Sequence, residues 1–184
     1  MPRRRSRTII KPPAGPPVIE TPRLVLRPHT FADFDDSFAI WSDPEVVRHI
    51  TGKPSTRDEV WMRLLRYGGL WAILGYGFWL VRERDGGRLV GEVGLADFHR
   101  DIDWGTDPEC GWVLAPPAQG RGYATEAVAA ALDWRDRYLP GTRTVCMIGP
   151  DNAASLRVAD KCGFRFFRET EFHGPVHLFE RIAK

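Results

Sequence analysis

The chain has 184 residues, 43% of them hydrophobic and 27% charged, which suits one sizeable globular domain. No apolar run approaches the roughly 20 residues of a membrane span, and the basic N-terminus lacks the apolar core of a secretion signal, so a cytoplasmic protein without a membrane partner is expected. The net charge of +2 hides an asymmetry: residues 1–17 carry Arg3, Arg4, Arg5, Arg7 and Lys11 and no acid, which leaves the remainder at −3. A basic, proline-rich arm over residues 1–18 is therefore expected ahead of one domain over 19–184, and the acidic body argues against specific nucleic-acid binding.

"RLVLRP" (23–28) alternates apolar and basic residues and predicts a strand closed by Pro28. Thr30 can cap a helix beginning at Phe31, Asp43-Pro44 repeats the start signal, and Thr56 with Glu59 forms a capping box before a longer helix. Residues 31–74 are thus expected to be mostly helical. The period then changes, and residues 76–98 predict a β-hairpin about the "DGG" turn. A loop leads to the strand "ECGWVL" (109–114), then a glycine-containing turn, and then a helix from about Thr125 to Tyr138. The strand "RTVCMIG", a short helix "NAASLRVADKCGF" ended by Gly163, and two final strands follow. Hairpins and β-α-β units occur together, so the expected architecture is α+β, a mixed central sheet of about seven strands flanked by helices.

Cys110, Cys146 and Cys162 are far apart and form no C-x-x-C pair, and no histidine completes a zinc spacing. All three are expected to be reduced core residues, and no metal site is expected.

The segment Gln119-Gly120-Arg121-Gly122-Tyr123-Ala124 raises a sharper question, because small residues lead straight into a helix. A helix N-terminus presents unpaired N–H groups and a partial positive charge, and a turn without Cβ atoms lets a phosphate approach them. A plain strand-to-helix turn shaped by glycine fits the same residues. The segment lacks both the P-loop and the G-x-G-x-x-G patterns, which speaks against a nucleoside triphosphate or a dinucleotide.

The same six residues resemble the [QR]-x-x-G-x-[GA] signature of the GNAT superfamily of N-acetyltransferases. Asn152, Ser155, Gly163 and Phe164 resemble its second motif, and "TPRLVLRPHTFADFDDSFAIWSDPEVVRHI" looks like the opening of the RimJ/RimL branch. The resemblance runs from about residue 20 to the end. It implies a single GNAT domain that transfers an acetyl group from acetyl-CoA, as cosubstrate, to a primary amine by direct attack. Gln119 to Thr125 would hold the pyrophosphate, with Arg121 either adding charge or lying along the surface. An oxyanion-facing N–H would lie near Val113 or Leu114, where pantetheine pairs like an added strand. The amine is mostly charged near pH 7, so a base must take its proton. Glu109 stands where many family members carry a base; Glu92, a carboxylate inside an apolar strand, is the rival, with His99 and His173 as candidate relays.

Where many relatives place a tyrosine acid, this chain has Ala159, and the branch's serine, Ser155, either hydrogen-bonds the thiolate or back-bonds its own helix. Asn152 either contacts the pantetheine arm or starts the helix through an Asx turn. The acceptor pocket would draw on Trp41, His49, Trp71, Trp104 and His173, or these aromatics are core packing. Protein N-terminus, aminoglycoside, polyamine and amino-acid analogue all stay open as acceptors. Family members are often dimers, so a homodimer is an expectation. Two rival functions stand beside the enzyme: a non-catalytic acyl-CoA sensor on the same fold, and an RNA- or ribosome-associated protein working through the arm.

Overall fold

The computed structural model describes residues 15–183, so most of the basic arm lies outside the described residues. Eight strands form one sheet: β1 (Ile19–Glu20), β2 (Leu24–Arg27), β3 (Phe78–Glu83), β4 (Leu89–Ala96), β5 (Glu109–Leu114), β6 (Arg143–Ile148), β7 (Arg165–Glu171) and β8 (Pro175–Ile182). Their spatial order is β1-β2-β3-β4-β5-β6-β8-β7, and only β5 and β6 run parallel. The α+β expectation holds. The eighth strand is the two-residue β1, too short for any periodicity, which pairs with β2 across a turn closed by the Thr21 N–H on the Leu24 carbonyl at 2.9 Å.

The helices are α1 (Phe34–Trp41), α2 (Pro44–Val47), α3 (Arg57–Leu74), α4 (Tyr123–Tyr138) and α5 (Ala153–Lys161). The sequence signals set their starts. Asp43 accepts from the Glu45 N–H with Pro44 in the first helical position, and Thr56 with Glu59 caps α3 reciprocally. The stretch after Thr30 begins as a 3-10 turn, Phe31–Asp33, before α1. Helix α4 begins at Tyr123, two residues earlier than the sequence suggested, because Gly122 caps it with φ +78 and turns the chain directly into the helix.

The sheet is covered on both faces. Val93, Leu95 and Cys110 pack with Ala127, Val128 and Ala131 of α4, while Ile40, Val47 and Val60 of α1 to α3 pack with Val113. Each fully buried Val or Leu contributes roughly 1.5–3 kcal/mol.

Two glycines permit the close strand approach that positions the site. A Cβ on Gly91 would lie 2.1 Å from the Val113 carbonyl oxygen, and one on Gly94 would lie 2.4 Å from the Phe78 Cα. Gly91 lies where β4 shifts register against β3, so the bulge presses β4 onto β5.

Candidate active site

Backbone pairing makes β5 the axis of the site. Toward β4 it is paired continuously, Glu109↔Ala96 through Leu114↔Gly91; toward β6 it is paired only at Glu109↔Val145. The Val145 N–H donates to the Pro108 carbonyl at 3.0 Å, and the Ala115 N–H donates to the Val90 carbonyl at 3.0 Å. Backbone groups alternate along a strand. Gly111 and Val113 therefore face β4, while Cys110, Trp112 and Leu114 face the gap that opens toward β6. Of the two residues expected to offer an N–H, Leu114 has its backbone on the open edge and Val113 does not. Trp112, which sequence reading missed, shares that edge.

The gap leads into a cavity of about 640 Å³. One wall is β5 at Trp112 to Leu114. A second is the turn and first turn of α4, with Gln119, Gly120, Gly122, Tyr123, Ala124 and Thr125 all lining it. The third is the loop and helix from Asp151 to Lys161, and the turn after α2, at His49 and Ile50, completes the rim. Gly120 and Gly122 have φ of +73 and +78, where a side chain would be strained. The first N–H groups of α4 have no partner within the helix and lie on this cavity.

The turn is braced from outside. Arg23 donates from Nη1 to the Arg121 carbonyl at 2.9 Å and from Nε to Glu126 at 2.6 Å, and its guanidinium lies 4.7 Å from the Tyr123 ring centroid. The Arg121 side chain runs away from the cavity to Glu83 at 2.6 Å, and the Tyr123 hydroxyl donates to the same carboxylate at 3.0 Å. The cations on the cavity wall are instead Arg157 and Lys161, one helical turn apart on α5, with Arg48 opposite. Only local charge spacing on α5 could have pointed to them.

On α5, Asn152 Oδ1 accepts from the Ser155 N–H at 3.1 Å, so Asn152 caps the helix and also lines the cavity. The Ser155 hydroxyl lines the cavity and makes no hydrogen bond within the described residues, so it is not spent on its own helix. Ala159 is wholly buried in the core.

Structure separates the two carboxylates. Glu92 is 1% exposed and accepts from Ser37 Oγ at 2.8 Å, Trp41 Nε1 at 2.9 Å and Tyr67 Oη at 3.1 Å, with His29 Nε2 at 3.4 Å. Burial pushes this carboxyl up, but the nearby His29 ring, then donation by Trp41 and Ser37, outweighs it and holds Glu92 below the ordinary glutamate range. Glu92 ties α1 and α3 to β4; buried at 1% exposure and outside the cavity wall, it has no access to a substrate amine. Glu109 is bound bidentately by Arg100, at 2.8 and 3.2 Å, and stands on the same sheet face as Gly111 and Val113, though outside the cavity wall.

Of the five proposed pocket aromatics, only His49 lines the cavity. Trp41 is held by Glu92, Trp71 packs against Trp79 and Trp134, Trp104 is half-buried, and His173 stands in the β7–β8 turn with φ +55. His99 also lies outside the cavity, exposed beside Asp97. Burial pushes the thiols of Cys110 and Cys146 up, and that of Cys162 up to about 11, so all three stay protonated near neutrality. Among the described residues no group of three His, Cys, Asp or Glu could hold a metal ion, and no helix is long and apolar enough to cross a membrane.

Residues 23–165 match the sequence profile of the acetyltransferase (GNAT) domain. This chain belongs to the GNAT acetyltransferase family. It is similar to a solved structure described as a putative GnaT-family acetyltransferase from Bordetella pertussis, with 34% identity and a TM-score of 0.80 over 90% of this chain and 99% of that one. It is 29% identical over 154 residues to the uncharacterized N-acetyltransferase YoaA of Bacillus subtilis (strain 168), covering 81% of this chain and 83% of that protein. RimL, a ribosomal L7/L12 alpha-N-protein acetyltransferase solved with coenzyme A, shares the fold with a TM-score of 0.75 at 17% identity, over 91% of this chain and 98% of that one.

Proposed function

We propose that this protein is an acetyl-CoA-dependent N-acetyltransferase of the RimJ/RimL type, acting in the cytoplasm on a primary amine, either a protein N-terminus or a small-molecule amine, with residues 19–184 as its catalytic domain. One observation carries the reading: the unpaired edge of β5 runs straight to a glycine turn on the N-terminus of α4, inside one cavity.

The residues fit the cosubstrate. Gly120 and Gly122 leave the first-turn N–H groups of α4 open to a pyrophosphate, and Arg157 and Lys161 add charge across the cavity. The backbone of Trp112 and the Leu114 N–H suit a pantetheine arm laid along β5, with the Asn152 amide opposite, while the Leu114 carbonyl is held by Gln119 Nε2 at 3.2 Å. When bound, acetyl-CoA supplies a thioester whose C–S bond breaks as the amine forms its N–C bond. The Leu114 or Trp112 N–H then faces the charge developing on the carbonyl oxygen. Ser155 donates to the departing thiolate. Glu109, oriented by Arg100, receives the amine proton through a chain of waters.

The test is transfer of labelled acetyl from acetyl-CoA to a panel of peptide N-termini, polyamines, aminoglycosides and amino-acid analogues, with Glu109→Gln beside the wild type. Acetylation of one class, slowed in the variant, is the expected result. Binding of acetyl-CoA with transfer to none of the panel would favour the sensor.

A further inference from the structure

The loop after β4 and helix α3 bring together more positive charge than the fold neutralises. Arg63 and Arg66 lie one turn apart on α3. The Arg66 guanidinium lies 5.1 Å from the centroid of Phe98, and the Arg100 guanidinium lies 4.6 Å from the same ring and 4.5 Å from Phe172 in the β7–β8 turn. One carboxylate, Glu109, serves this group, and Arg100 holds both its oxygens. Of the loop's own acids, Asp97 is turned to His99, whose N–H it accepts at 2.8 Å, and among the described residues neither Asp101 nor Asp103 forms an ion pair with Arg66 or Arg100. Arg66 is exposed and, among the described residues, makes no ion pair and no side-chain hydrogen bond. Burial of its stem, and after it the like charges of Arg63 and Arg100, pull its guanidinium below the ordinary arginine range. A cation held on an aromatic ring among other cations, with no anion of its own, is a seat for an anion from outside.

Its place gives the seat a use. Glu109 opposes Ala96 in the sheet and shares a face with Gly111 and Val113. It precedes Val113 by four residues, about 13 Å at ordinary strand rise. An amine reaching the open edge of β5 from this side would pass Arg66 and Arg100.

We infer that Arg66 and Arg100, sharing the Phe98 ring, form a carboxylate-accepting subsite that selects acceptors carrying an acid a few bonds from the amine, such as a peptide N-terminus followed by an acidic residue. Arg66 is the free fork, able to take a planar carboxylate bidentately. Arg100 supplies field while keeping its hold on Glu109. The inference rests on the acetyltransferase reading for its meaning, but its binding test stands apart from turnover.

Two tripeptide amides with free N-termini, Ala-Glu-Ala and Ala-Gln-Ala, are titrated against the full chain loaded with coenzyme A, which forms a complex unable to react. The acidic peptide should bind about tenfold more tightly, as expected for one charge-assisted pair, and added salt should narrow the gap. Arg66→Gln should bring the two affinities together, and Arg66→Glu should reverse the order when Ala-Lys-Ala is the competitor, with thermal unfolding confirming that both variants fold. Equal wild-type affinities, absence of peptide binding, or a preference that survives both substitutions would overturn the inference. Failure of the wild type to bind coenzyme A would count instead against the acetyltransferase reading, and the peptides would still be compared on the unloaded protein.

Discussion

Toward β4, β5 is paired at six successive positions, whereas toward β6 it is paired at Glu109 alone. Small residues lie beside both edges and do opposite work. On the closed edge, Gly91 and Gly94 let strands approach more closely than any Cβ would permit, and Glu92 and its donors lock helices over the junction. On the open edge, Gly120 and Gly122 leave backbone N–H groups uncovered, and no strand of the described chain pairs with Leu114 or Trp112 toward β6; the Leu114 carbonyl accepts only from Gln119 Nε2, at 3.2 Å. The same absence of a side chain thus seals one junction and keeps the other available for a ligand. A rigid closed edge is what allows an open edge to hold its geometry.

The contrast can be broken from the closed side first, where the largest effect is expected. Glu92→Gln removes a buried charge with three hydrogen-bond donors and should cost about 3 kcal/mol in denaturant unfolding. The wild type should also lose stability in acid. Glu92 is held below its ordinary value in the folded state, so the unfolded chain binds the proton more readily. Its contribution is complete above the ordinary glutamate range and disappears as pH falls through the folded value. Unfolding midpoints measured against pH should drop more steeply in the wild type than in Glu92→Gln; parallel curves would contradict the assignment.

At the reacting end, Glu109→Gln should lower kcat roughly 100-fold while acetyl-CoA affinity stays within about twofold, the pattern of a lost base rather than a lost binding contact. A variant with unchanged kcat would remove Glu109 from the chemistry. Across the open edge, Ser155→Ala should lower kcat about tenfold, the value of one hydrogen bond to a charged group, with little change in KM. The smallest effect is expected for Arg121→Ala. Its side chain is engaged with Glu83, a surface pair worth at most about 1 kcal/mol, so acetyl-CoA affinity measured by titration should change less than about threefold.

Element types, order and caps were legible because local chemistry sets them: Asp43-Pro44 and the Thr56–Glu59 box start helices by satisfying the helices' own first N–H groups. The glycine turn was legible for the same reason, since Gly120 and Gly122 set its backbone shape. The allocation of side chains was not. Arg121 is in the motif yet turns to Glu83, while Arg23, about a hundred residues earlier, braces the turn; only the pairing of β2 beside α4 brings that arginine there. Glu109 and Glu92 look alike as carboxylates in apolar strands, and their difference lies in their partners: Arg100, across one loop, for the first, and the sequence-distant His29, Ser37, Trp41 and Tyr67 for the second. Of the tryptophans offered as a pocket, Trp71 went to the core, where it packs edge to face with Trp79 and Trp134, and Trp41 went to Glu92. The strand parity that gives Leu114 rather than Val113 to the open edge depends on one register, which no composition or spacing encodes.

The most direct test of the open-edge account is calorimetric titration of acetyl-CoA into the wild type and into Gly122→Glu. The variant places a β-carbon at φ +78 and a carboxylate where a pyrophosphate is expected. The account predicts one site on the wild type and loss of at least about 100-fold in affinity in a variant that still folds. A folded wild type that binds no acetyl-CoA, or a Gly122→Glu protein that binds it as tightly, would contradict it.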